Sequence, residues 1–320
     1  MPARKPLREY LVPFLDFCEV QKGLADNTER NYRNYLRVFF AWLSKHGHER
    51  LTPHQLTAEH VWDYRLYLAR KHKSPTGRYL TKRSQNFYLT ALRAFLEFLA
   101  ERDIDTLPSS KVKLAKQKAD ETISFLDPRE VNAIVQLPDV TKPEGLRDRA
   151  IIETLFSSGM RISELISLDI DQLSPLRRAA PNADKTYEIP IIGKGKRPRT
   201  IFISPRAANS IRAYLAERRD DEKALFTNTR SKNPQTKRLS PRYIQHMIPK
   251  YARLAGLAKK VTPHTLRHSY ATDLLSRGAD LRSVQELLGH KNVATTQMYT
   301  HVTNKRLREI HEKFHSTEAS

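Results

Sequence analysis

Residues 262–302 read TPHTLRHSYATDLLSRGADLRSVQELLGHKNVATTQMYTHV, and the reading of the whole chain starts there. Thr262 and Pro263 pair a capping residue with a first-turn proline, so a helix begins at this point and Gly278 stops it. Asp280 opens a second helix, which Gly289 closes. His264 and Arg267 stand at i and i+3 on the first turn of the earlier helix. Both project to one face, beside backbone N–H groups that have no partner within the helix, and that is a natural place for an anion. His290 follows the closing glycine, and Tyr299 lies nine residues further on. A lone tyrosine at such a place is more often core than chemistry. Metal ligation by His264 and His268 at i and i+4 competes for the same residues, but it lacks a general-base glutamate and a third ligand at sensible spacing.

Two segments upstream add cations. In GMRISEL, residues 159–165, Gly159 ends one helix and Arg161 opens the next, with Glu164 one turn on. Taken alone, such a pair is a surface contact of about 0.5 kcal/mol. In YEIPIIGKGKRPRTIFIS, residues 187–204, two apolar β-branched runs flank GKGKRP, which predicts a β-hairpin. Its glycines would let Lys194 come close to a ligand, although an ordinary solvated turn has the same composition.

Outward from this core, the segment 122–320 reads as mostly helical. Asp127, Pro128 and Glu130 form a cap, a first-turn proline and a capping-box acid, and helices resume near Arg206 and at Ser240–Pro241. A tail helix over 303–315 aligns Leu307, Ile310 and Phe314. The segment 1–103 reads as a small all-helical domain, with a short helix over Leu7–Val20 and longer ones near 27–46, 58–71 and 84–101. Tyr32, Tyr35, Leu36, Phe39, Trp42 and Leu43 recur at helical spacing, as do Leu92, Phe95, Leu96 and Leu99. Asp26 with Glu29 resembles a capping box, and Gly47 suits a stop. Arg30, Arg33, Arg37, Lys82, Arg83 and Arg93 fall on the outer faces. Between the domains, residues 104–121 have little periodicity and read as an extended basic linker.

Charge gives the partner class. The 320 residues carry 56 Lys and Arg against 35 Asp and Glu, a net +21. Residues 1–119 hold 22 basic and 12 acidic groups, so both parts of the chain are basic. That favours a polyanion gripped from two sides, with nucleic acid the commonest choice. Cys18 is the single cysteine, which excludes a disulfide framework, and it sits among apolar neighbours as plain core. The sequence contains neither a membrane-length apolar run nor a signal-peptide core, so a cytoplasmic protein is expected.

Arg, then Lys, then His-x-x-Arg, then Gly-His and a Tyr nine residues later: in this order and spacing, the segments strongly resemble the tyrosine recombinase family. The likeness is greatest to its Xer-type site-specific recombinases and their integrase relatives, and it runs nearly the length of the chain. The resemblance implies a helical, SAM-like core-binding domain and an α+β catalytic domain, mainly α with a small β-sheet, forming a C-shaped clamp on double-stranded DNA. It places catalytic roles on Arg161, Lys194, His264, Arg267, His290 and the nucleophile Tyr299, with Glu164 as a supporting acid. Residues 174–186 depart from the compact family form, which leaves Lys196 as a competitor of Lys194. Also implied are a homo- or heterotetramer on two sites, a partner recombinase, a tail docked in trans, and no metal or other cofactor. The implied biological role is chromosome dimer resolution. Mobile-element integration and a type IB topoisomerase-like nicking activity are the alternatives.

The chemistry agrees with that assignment. Phosphoryl transfer piles negative charge on the non-bridging oxygens, and fixed cations stabilise it best where water is excluded. Arginines bind such oxygens bidentately and stay charged. A tyrosine hydroxyl, with a reference pKa of about 10, needs a cationic setting or a base to attack. The leaving 5′-oxygen needs a proton, which a lysine in a cationic cluster can give.

Overall fold

The computed structural model describes residues 5–116, 124–178, 184–193, 198–228 and 237–289. The chain forms two compact units, residues 1–121 and 122–320.

In the first unit a 3-10 turn, Leu7–Tyr10, leads into α1 (Leu11–Val20), followed by α2 (Asp26–Lys45), α3 (Ala58–Arg70) and α4 (Lys82–Ala100). Leu36, Phe39, Trp42 and Leu43 of α2 and Leu92, Phe95, Leu96 and Leu99 of α4 are buried together, as their periodicity predicts. Tyr32 and Tyr35 are only partly buried against that cluster. α2 starts one residue earlier than a cap at Asp26 requires. Its N-cap is Ala25, which has no capping side chain, so Asp26 and Glu29 act as first-turn acids rather than a capping box. Arg30, Arg37, Lys82 and Arg83 are exposed, whereas Arg93 is half-buried and Arg33 is paired with Glu29 at 2.6 Å. Cys18 is buried, and that burial pushes its thiol up to about 11.

Past α4 the chain makes a 3-10 turn, Ser109–Lys111, and is anchored to the first unit. Val112 is fully buried in the first core, and Asn86 exchanges two hydrogen bonds of 2.9 Å with the backbone of Ala115. The sequence shows no periodicity here because the attachment rests on single residues.

The second unit contains α5 (Pro128–Val135), α6 (Pro143–Ser158), α7 (Ile162–Ser167), α8 (Ser174–Arg178), a hairpin of β1 (Tyr187–Ile192) and β2 (Pro198–Ile203), α9 (Pro205–Ala216), α10 (Pro241–Leu254), α11 (Pro263–Ser276) and α12 (Leu281–Leu288). Asp127 caps α5 with the reciprocal Glu130 bond, as expected. The strands pair antiparallel from Tyr187 opposite Ile203 to Ile192 opposite Pro198. Residues 194–197, and with them Lys194 and Lys196, lie outside the described residues. So do His290, Tyr299 and the tail over 303–315.

α6 is the central helix, buried on nearly every side and therefore without a clear amphipathic stripe. It carries three buried charged residues, Arg147, Asp148 and Glu153. Arg147 pairs with Asp148 at 3.0 Å and donates to the Thr227 carbonyl at 2.9 Å, while Tyr243 and Tyr251 of α10 both donate to Asp148. Every charged atom of the pair is thus answered, which a buried ion pair requires to persist. Burial beside the Asp148 carboxylate drives the Tyr243 hydroxyl up to about 12.

Candidate active site

The site is built at the end of α6. Gly159 takes a left-handed φ of +59° there and turns the chain sharply. A Cβ at this position would lie 2.3 Å from the Tyr270 ring, so both the space and the backbone demand glycine. The turn leaves Arg161 as N-cap of α7, with its side chain carried beside the first turn.

Glu164 reaches back to this cap. It accepts the Arg161 backbone N–H at 2.8 Å and Arg161 Nη1 at 2.9 Å. Sequence spacing suggests a weak surface pair, but the Glu164 side chain is only 3% exposed. Burial alone would raise its pKa. The hydrogen bond from the Arg161 backbone, and the bonds and charges of Arg199 and Arg161, outweigh that and hold the carboxyl below its ordinary range. It is an ionised carboxylate fixed in the interior.

The third partner of Glu164 is a residue that sequence reasoning missed. Arg199 of β2 donates from Nη2 to Glu164 Oε2 at 2.8 Å and from Nη1 to the Leu287 carbonyl at the end of α12. A signal was present in the hairpin, where Arg199 is a basic residue within an apolar strand. Nothing local shows that it meets a glutamate 35 positions earlier.

From α11, Arg267 is 5% exposed and donates to the Gly159 carbonyl and the Leu288 carbonyl, each at 2.6 Å. It ties the turn after α6 to the end of α12. His264, one helical turn earlier, remains exposed at one face. Partial burial, then the charges of Arg267 and Arg161, lower its pKa, so its imidazole is neutral at pH 7 and can accept or donate a proton. His268 is lowered further, to about 4, by burial and by His264 and Arg267. Among the described residues no three His, Cys, Asp or Glu side chains converge as a metal site would need.

Gly289 closes α12 with φ +62°, and a Cβ there would stand 2.9 Å from Arg199 Cδ. Arg161 Nη2 faces its carbonyl at 3.4 Å. The structure therefore brings Arg161, Glu164 and Arg267 together at the end of α12, with His264 near enough to feel the charges of Arg267 and Arg161. Gly289→Ala should cost about 1 kcal/mol from the left-handed backbone alone, with a further loss where the Arg199 stem has to move aside. Urea denaturation of the variant checks this, and an unchanged midpoint would contradict it.

Comparison with known proteins gives the same picture along the chain. Residues 11–103 match the model of the phage integrase N-terminal SAM-like domain, and residues 124–306 match that of the phage integrase family. Tyrosine recombinase XerD of Lacticaseibacillus casei is 37% identical over 313 residues, covering 95% of this chain and 98% of that protein. Tyrosine recombinase XerC of Pelotomaculum thermopropionicum is 36% identical over 318 residues, covering 94% and 96%. The fold is shared with the XerH site-specific recombinase bound to its palindromic difH substrate, at a TM-score of 0.65 and 20% identity over 99% of both chains. It is shared also with a lambda integrase dimer bound to a core site, at a TM-score of 0.62 and 18% identity over 91% of this chain and 94% of that one. With both family models matched in order and relatives above one-third identity over nearly the full length, the chain belongs to the phage integrase family, the tyrosine recombinases.

Proposed function

We propose that the protein is a site-specific DNA recombinase that cleaves and rejoins strands through a covalent 3′-phosphotyrosine on Tyr299 and exchanges them through a Holliday junction. The observation that supports this most is the gathering of Arg161, Glu164 and Arg267 at the end of α12, with His264 within reach of the charges of Arg267 and Arg161. In the proposed reaction Arg161 and Arg267 neutralise the non-bridging oxygens of one backbone phosphate. A guanidinium carries five N–H donors, so a tie to a carbonyl and a contact to phosphate can share one side chain. Glu164 keeps Arg161 in one orientation. His264 and His290 steady the phosphate and handle the proton of the attacking hydroxyl. Tyr299 attacks, and Lys194 protonates the 5′-oxygen as it leaves. The phosphotyrosine conserves the bond energy, so rejoining needs no nucleotide.

The chain is proposed to work as a homo- or heterotetramer on two duplex sites, with the 303–315 stripe docking on a neighbouring protomer. Chromosome dimer resolution is the role we favour, because the matched XerC and XerD relatives are covered almost end to end. The test is incubation with fragmented genomic DNA in excess chelator, followed by denaturant. DNA should remain covalently on the protein and sequence to a discrete site. Cleavage that needs a divalent ion, or leaves no protein on the DNA, would overturn the proposal.

A further inference from the structure

The roles assigned above leave Arg199 without one, although it sits in the middle of the cluster. Its side chain is 12% exposed. Nη2 is committed to Glu164 and Nη1 to the Leu287 carbonyl. Nε is buried with no hydrogen-bond partner among the described residues. One terminal nitrogen is thus on an ionised carboxylate and the other on a helix-end carbonyl, in a guanidinium largely shut off from solvent. It is well placed to hold two parts of the site together.

What it holds is the end of α12. The last carbonyls of a helix have no partner within it and carry the negative end of the helix dipole. Here three arginines from three different elements face three successive carbonyls. Arg199 of β2 takes Leu287, Arg267 of α11 takes Leu288, and Arg161 at the head of α7 faces Gly289 at the longer distance of 3.4 Å. Arg161 and Arg267 have a proposed second duty on the phosphate. Arg199 has none, and so it can keep the helix end in place while the others engage substrate. On its own strand it pairs opposite Ile191. Its stem lies against Gly289, the residue that ends α12.

We propose that Arg199 is a positioning residue for strand cleavage: it clamps the C-terminal end of α12 and strand β2 to Glu164, and so holds the phosphate arginine Arg161 and the end of α12 in one arrangement. This rests on the recombinase reading. Among the described residues the charged groups that face Glu164 are Arg161, from the cap of its own helix, and Arg199, from β2, while α12 brings backbone carbonyls to the cluster. Taking Arg199 away removes one of the two cations that keep the carboxylate ionised. The folded-state pKa of Glu164 then rises towards its ordinary value. The orientation of Arg161, which is present above that pKa and lost as pH falls through it, disappears at a higher pH than in wild type.

The test is the rate of covalent adduct formation on a nicked suicide substrate, measured from pH 4.5 to 8 for wild type, Arg199→Met and Arg199→Lys, with thermal melting and DNA binding measured alongside. Arg199→Met should bind DNA within about twofold of wild type and cleave about ten- to hundredfold more slowly, the cost of a misplacement near 1 Å. Its acid limb should move to higher pH. Arg199→Lys should return the acid limb towards wild type, because a cation is restored, while recovering only part of the rate. In a Glu164→Gln background, Arg199→Met should shift no acid limb. A Met variant with the wild-type pH profile, whose rate falls only with its folded fraction, would show a merely structural residue and overturn the proposal. An acid-limb shift that persists in the Glu164→Gln background would overturn it as well. A wild-type protein that forms no adduct at any pH would instead bring down the recombinase reading itself.

Discussion

Tyr299→Phe binds its DNA site as tightly as wild type and forms no covalent adduct, a loss on the order of 10⁴-fold or more, as expected when the nucleophile of a covalent mechanism is removed. The substitution deletes one oxygen and keeps the ring, so failure to fold is not the expected cause. Tyr270 makes the useful control. It is the tyrosine packed against the turn at Gly159, and burial raises its pKa despite the opposing charges of Arg199 and Arg267. A hydroxyl held in that state is a poor nucleophile, and Tyr270→Phe should retain the adduct. Normal adduct from Tyr299→Phe, with loss in Tyr270→Phe, would move the nucleophile to α11.

Lys194→Ala should cost about 10²–10⁴-fold on an ordinary phosphodiester, the usual range for a positioned general acid. On a substrate whose 5′-bridging oxygen is replaced by sulfur, most of that loss should return, since a thiolate departs without a proton. Arg161→Ala and Arg267→Ala should show no such rescue, because the charge they neutralise is on the non-bridging oxygens of either substrate. Gel analysis of adduct from the two substrates separates these outcomes. Rescue of Lys196→Ala in place of Lys194→Ala would reassign the acid two residues along the hairpin.

The local features of the site were legible before the fold was. The turn at Gly159, the antiparallel pairing of β1 with β2, the capped start of α11 and the glycine that ends α12 all follow from caps, β-branched runs and glycines within a few residues of one another. The strength of the site was not legible. Glu164 looks like a solvated i,i+3 partner of Arg161, and only tertiary packing makes it a 3% exposed carboxylate with a second arginine on it. Arg199 was overlooked because its partners, Glu164 and Leu287, are 35 and 88 positions away. The Arg147–Asp148 pair escaped notice for a related reason, since adjacent charges in a helix read as surface and its partners come from α10 and the Thr227 backbone. Asp26 shows the opposite error: the residue type and spacing fit a capping box, yet the helix starts one position sooner.

The central claim is a phosphodiester exchanged onto one tyrosine. Its most direct test is to trap the wild-type protein on a nicked substrate in chelator, digest both partners, and map the linked peptide by mass spectrometry. The account predicts a single nucleotide-bearing peptide, with a 3′-phosphate esterified to Tyr299. A nucleotide on any other side chain, or strand cleavage with no peptide attached, would contradict it.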